Sequence, residues 1–301
     1  MSLRTPLSAG PLRALVRAAA VTVLAVLSGC GSPPVRPSRS PLAAHQAGAS
    51  RSGAAVPAQV LHRTLVLGDA ALHASELPTE LCALLRGSQV AQQFDCEGIY
   101  GETTSLFDHS RSLDRPDSDL SRLLTAPGVH WDLVVLGEHV DPAAVPEQAS
   151  ADTVNAVKRL SSAAAAAGAR TVLLEPVPGW QDFGLPAGPN DYQDRVRTSR
   201  AWARAVAAAV PELVVVPVAQ SLELALGTSM DEGLDPFEAN GLFAHLSSPA
   251  GVPSPVLGYI TARMTAQLMY PTEGASLSWV DNRIGFSDVV KVNNIIRTAT
   301  P

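Results

Sequence analysis

The chain has 301 residues, 46% of them hydrophobic and 5% aromatic, with 22 Lys plus Arg against 28 Asp plus Glu and a net charge of −6. That length and apolar content supply a core of domain size, and 24 prolines with 22 glycines exclude a long coiled coil. An acidic chain without a cluster of Lys and Arg has nothing with which to track phosphates, so no nucleic acid partner is expected.

The first element in chain order reads as an export signal. Arg4, Arg13 and Arg17 form a positive n-region, and Ala18 to Leu27 form an apolar stretch too short to span a bilayer. Leu27-Ser28-Gly29-Cys30 follows at once and resembles the bacterial lipobox. There the cysteine takes a thioether-linked glyceride, for which a sulfur nucleophile is required, and becomes the first residue of the mature protein. An ordinary signal peptide that ends in Cys is the other reading. Residues 1–29 are thus expected to be a signal peptide and Cys30 a lipidation site. Residues 30–60, rich in Pro, Ser, Gly and Ala, have little to bury and read as a flexible tether with stiffer Pro-rich patches. The resemblance implies a bacterial cell envelope location, anchored to the membrane through lipid and facing periplasm or exterior. Gly31 in place of the Asp of inner-membrane retention points to the outer membrane where one exists.

From residue 61 to 301 the pattern is one domain in which strands alternate with helices. Thr64 to Gly68 is a short apolar run ending at Gly, and Leu77 to Leu85 places apolar residues at 77, 81, 84 and 85, one helix face. Residues 90–100 are a weaker strand candidate and 131–136, WDLVVL, a strong one. Ser150 is expected to cap an Ala-rich helix that stops at Gly168. Strand 171–174, a polar helix over 191–210 and strand 213–216 follow. Short apolar runs alternating with helices predict an α/β fold, a three-layer α/β/α sandwich around a central parallel sheet, with ligands at the carboxyl ends of the strands. Cys82 and Cys96 remain as an even pair in an exported chain. A disulfide closing that loop is worth about 3 kcal/mol, and two separately buried thiols are the alternative.

At the expected strand ends the residues resemble the SGNH, or GDSL-type, hydrolase superfamily. Residues 65–85, LVLGDAALHASELPTELCALL, are similar to its first block, a strand ending in Gly-Asp-Ser or Gly-Asn-Ser. Tyr100 to His109 is similar to the second block, whose Gly, here Gly101, supplies a backbone N–H to an oxyanion. Trp131 to His139 resembles the third-strand block, and Val252 to Ala262, VPSPVLGYITA, the last block, His-Pro-Ser-Pro-x-Gly-x-Tyr. The four stand in order over residues 62–290, and the resemblance implies a flavodoxin-like sheet and ester chemistry without a cofactor.

The catalytic positions depart from that pattern. Ala70 stands where the family has its nucleophilic Ser, and Val252, or Pro253 if Gly258 is aligned instead, stands where it has its His. The orienting Asp is matched by Pro249 or Ala250. A methyl group cannot attack a carbonyl, so no acyl-enzyme is expected here. What persists is a cradle: Gly68, Asp69, Ala70 and Gly101 with Glu138 and His139 as expected ligand-binding residues. Asp69 reads equally as a turn or helix cap, and Glu138–His139 as a surface pair. His245 is the one candidate for a displaced base, near Ser247 and Ser248, with an ordinary loop histidine as the other reading. His73, His109, His139 and His245 lack the spacing of a zinc site, so no metal is expected. Trp180 and Tyr192 read either as a sugar-binding wall or as anchors of their own loop. The expected function is therefore an SGNH-like lipoprotein, a pseudoenzyme that binds an envelope polysaccharide or a protein partner. An active esterase or O-acetyl hydrolase with displaced catalytic groups, and a purely structural lipoprotein, are the alternatives.

Overall fold

Five strands form the sheet, β1 (Leu61–Leu67), β2 (Gln93–Ile99), β3 (Leu133–Leu136), β4 (Arg170–Leu174) and β5 (Val214–Val216), of which β2 is the mixed polar one, QFDCEGI. All pair in parallel in the order β2-β1-β3-β4-β5, with Leu67 opposite Leu136, Leu136 opposite Leu173 and Leu174 opposite Val216. That strand order is the flavodoxin-like one, and its switch point lies between β1 and β3. The computed structural model describes residues 61–69, 72, 75–87, 93–99, 105–138, 146–178, 188–237, 241–247, 253–270 and 284–300. They fall within one compact unit, Val56–Pro301. The expected signal peptide, Cys30 and the tether lie outside the described residues, as do Ala70, His73, Gly101, His139, Trp180 and Val252.

Eight α-helices are present among the described residues: α1 (Leu77–Gly87), α2 (Leu106–Ser112), α3 (Asp119–Thr125), α4 (Pro146–Ala166), α5 (Gly188–Ala209), α6 (Val218–Asp231), α7 (Pro255–Met269) and α8 (Phe286–Ala299). Side chains alternate across the strands and feed two separate cores. Leu65, Leu67, Val134, Leu136 and Leu173 pack with Leu106, Leu120, Leu160, Trp202 and Val206 of α2 to α5. Val66, Leu133, Val135, Val172 and Leu174 pack on the other face with Leu81, Leu222, Ile260 and Ile296 of α1, α6, α7 and α8. This is the expected three-layer α/β/α sandwich, and each such aliphatic side chain contributes about 1.5–3 kcal/mol on burial. No helix among the described residues is long and apolar enough to cross a membrane.

One local expectation changes. The Ala-rich helix begins at Pro146, so Ser150 sits inside α4 and does not cap it. Proline suits a first turn, since its φ is already helical and its missing N–H has no partner to lose there. The helix does stop where expected, with Gly168 at φ +84° and Ala169 N–H donating to the Ala164 carbonyl. Cys82 lies on α1 and Cys96 on β2; no disulfide is present among the described side chains, and those of both cysteines fall outside them.

Candidate functional site

β1 and β3 end side by side in Gly68-Asp69 and Gly137-Glu138, where Gly137 N–H donates to the Leu67 carbonyl at 2.9 Å. A small cleft opens there. Its polar lining is Asp69, Ser75, Glu138, Glu175 and Thr261, and its apolar lining includes Leu72, Pro253 and Leu257. Two expected site residues, Asp69 and Glu138, therefore meet in one hollow.

Glu138 is not a surface residue. Its Oε1 accepts from the Leu106 N–H at 3.3 Å, at the start of α2, and its Oε2 is buried with no hydrogen-bond partner among the described residues. Burial pushes the carboxyl up to about 7, against the Leu106 N–H and with help from the negative charges of Asp69 and Asp108. At neutral pH the group is thus divided between acid and carboxylate.

The histidines separate. His109 is buried on α2, and its Nε2 lies 3.0 Å from the Gly68 carbonyl, which can only accept, so that nitrogen carries the proton. Burial lowers its pKa despite that bond, keeping it neutral. Its role is to hold the strand end in place. His245 closes a 3₁₀ turn, Phe243–His245. Its carbonyl accepts from Ser254 Oγ at 2.6 Å, while its half-exposed ring places Nδ1 3.9 Å from Asp288 on α8. It does not line the cleft. Ser247, expected as its neighbour, is tied into an isolated bridge with Pro253. Among the described residues no group of three or more His, Cys, Asp or Glu could hold a metal ion.

The last block is built as its sequence implies. Ser254 caps α7 by accepting from Leu257 N–H at 3.2 Å, and Pro255 opens the helix. Gly258 lets α7 approach the segment that leads into α1, since a Cβ there would lie 1.8 Å from the Ser75 carbonyl oxygen. Of the two residues aligned with the family histidine, Pro253 is the one described, and it lines the cleft.

Tyr192 corrects the idea of a sugar-binding wall. It is 2% exposed, stacks edge-on against Phe243 with ring centroids 4.9 Å apart, and belongs to the core. Among the cleft residues that sequence reasoning did not single out are Leu72, Ser75, Glu175 and Thr261. Leu72, Ser75 and Thr261 carry no local signal. Glu175 does carry one, as an acid directly after the apolar run of β4. It is 4% exposed, accepts from Gln220 N–H at 3.1 Å in the first turn of α6, and lies 3.7 Å from Arg200. Burial raises its pKa, with the Gln220 N–H and Arg200 opposing.

Parallel sheet order, two covered faces and a cleft at the β1/β3 switch point define a three-layer α/β domain with a flavodoxin-like sheet. Neither protein-family models nor curated proteins give a match to the chain. Solved structures do. A DUF4886 family protein from Bacteroides uniformis superposes at TM-score 0.54 with 11% identity, covering 79% of this chain and 94% of that one. A protein from Slackia heliotrinireducens classed among the SGNH hydrolases gives TM-score 0.43 at 23% identity over 69% and 99% of the two chains. An acetyl xylan esterase gives 0.49 at 14% identity over 68% and 98%. At 11% identity the likeness to the Bacteroides uniformis protein is one of fold.

Proposed function

We propose that this chain is a lipid-anchored envelope protein whose SGNH-like domain no longer hydrolyses esters and serves to bind an envelope polysaccharide or protein partner. The observation that carries the reading is the make-up of the cleft. Pro253 lines it where the family has its base, no imidazole is present among its described lining residues, and His245 is turned to Asp288. Ala70 at the nucleophile position supports the same conclusion from the sequence. The two hydroxyls in the cleft do not replace it. Ser75 Oγ donates to the Leu72 carbonyl at 2.8 Å, and a serine without an adjacent base is a weak nucleophile.

The test uses the purified full chain with activated acetyl esters, acetylated glycans and a serine-directed fluorophosphonate. The expected result is no labelling and no turnover above a mock preparation. Labelling of one serine together with turnover that is lost in His245→Ala would establish the alternative, an esterase with displaced catalytic groups.

A further inference from the structure

We propose that Arg200 is the positioning residue of this cleft: its guanidinium, shared between Glu175, Gln220 and Glu223, ties the end of β4 to the first turn of α6 and holds the Glu175 carboxylate in the cleft wall. The inference goes beyond the binding reading and applies to a binding or a hydrolysing cleft alike.

The clasp follows from helix spacing. Arg200 and Arg204 stand four residues apart on α5, and Gln220 and Glu223 three apart on α6, so each pair shares one face of its helix. From α5, Arg200 Nη2 donates to Gln220 Oε1 at 3.0 Å and Nη1 to Glu223 Oε2 at 3.1 Å. The remaining nitrogen, Nε, lies 3.7 Å from Glu175 Oε1 and is buried with no hydrogen-bond partner among the described residues, so the Glu175 carboxylate is its counter-charge. Acceptors on three separate residues are served by the separate nitrogens of a planar guanidinium, which the single ammonium of a lysine cannot reproduce.

Both elements joined by the clasp line the cleft. Leu174, Glu175, Pro176 and Val177 do so from the end of β4 and Val218 from the start of α6, whereas Arg200 stands outside that lining. Glu175 Oε2 accepts from the Gln220 N–H at 3.1 Å, so the carboxylate bridges the same two elements from the cleft side. Burial raises its pKa, and the Gln220 N–H, the charges of Arg200 and Arg204 and the Ala219 N–H oppose that rise. The other titratable groups of the cleft, Asp69 and Glu138, and Glu223 across the clasp are acids and supply no counter-charge. Without Arg200, burial acts against weaker opposition: Glu175 takes up a proton more readily, and its hold on the first turn of α6 loosens.

Variants of the full chain test this through the NMR titration of the Glu175 side-chain carboxyl and the hydrogen exchange of the Gln220 N–H. Arg200→Met is expected to raise the Glu175 midpoint by about one pH unit or more and to speed exchange at Gln220. Arg200→Lys, which keeps a cation on α5 but not the fork, and Arg204→Met, which removes the neighbouring cation, are each expected to raise the midpoint less. An unchanged midpoint in Arg200→Met overturns the proposal, as does an equal rise in either of the other two. If Arg200→Met fails to fold, Glu175→Gln carries the test from the opposite side. The Arg200 Nε–H resonance is then expected to shift and to exchange faster, and an unmoved resonance overturns the proposal.

Discussion

Glu138 carries a charge problem that the rest of the domain must tolerate. Its carboxyl is raised from 4.5 to about 7 in the folded chain, so between those values the folded state holds a proton that the unfolded state has released. Stability contributed by the neutral form is complete below the unfolded value and falls as pH rises through the folded one. The full effect is up to about 3 kcal/mol, because a tenfold change in proton affinity corresponds to about 1.4 kcal/mol. Glu138→Gln keeps the Leu106 N–H satisfied and removes the titration. Thermal unfolding between pH 5 and pH 8 should therefore show a smaller loss of stability with rising pH in Glu138→Gln than in the parent. A residual slope of the same sign remains, because burial raises Glu175 as well. Equal slopes in the two proteins would mean that Glu138 is hydrated and ordinary in the fold.

At the scale of elements, two helical glycines with opposite surroundings separate packing from propensity. Gly258 of α7 faces the Ser75 carbonyl so closely that a methyl cannot be accommodated without moving backbone, whereas Gly227 of α6 has nothing within 4 Å of an added Cβ. Gly258→Ala is expected to cost about 3 kcal/mol by overpacking, and Gly227→Ala to stabilise by about 0.5–1 kcal/mol through helix propensity. Urea unfolding of both variants checks the pair, and equal effects would refute the close approach of α7. The sequence conveys such elements unevenly. Strands β1, β3, β4 and β5 are legible because each is a run of Leu or Val ended by Gly, Glu or Pro, and α4 because an Ala-rich body stops at Gly168. The helices α2 and α3 are each seven residues long, too short for periodicity, and only their caps betray them: Ser105 accepting from Asp108 N–H and Ser118 from Ser121 N–H. Asp69 and Glu138 are legible because each follows a strand end at the switch point. Leu72, Ser75 and Thr261 are not, since they reach the cleft from the stretch between β1 and α1 and from α7, and no local pattern records which distant segments meet.

For the whole molecule, the charge balance makes the proposed anchor decisive. Under the proposed processing, loss of Arg4, Arg13 and Arg17 would take the net charge from −6 to −9; a chain so charged would be repelled by anionic headgroups and would need acyl chains to hold it. One acyl chain binds only marginally, while each additional buried methylene adds about 0.8 kcal/mol, so a diacylated Cys30 would hold the protein at a membrane through any dilution used in fractionation. Cys30→Ala removes the only sulfur at that position and with it the thioether. Expressed in a bacterial host and fed an alkynyl fatty acid, the parent should incorporate label and sediment with membranes after a carbonate wash. The Cys30→Ala variant should take up no label and leave the membrane fraction. If it instead remained membrane-bound without label, retention would not come from lipid on Cys30, and the lipoprotein assignment would fall.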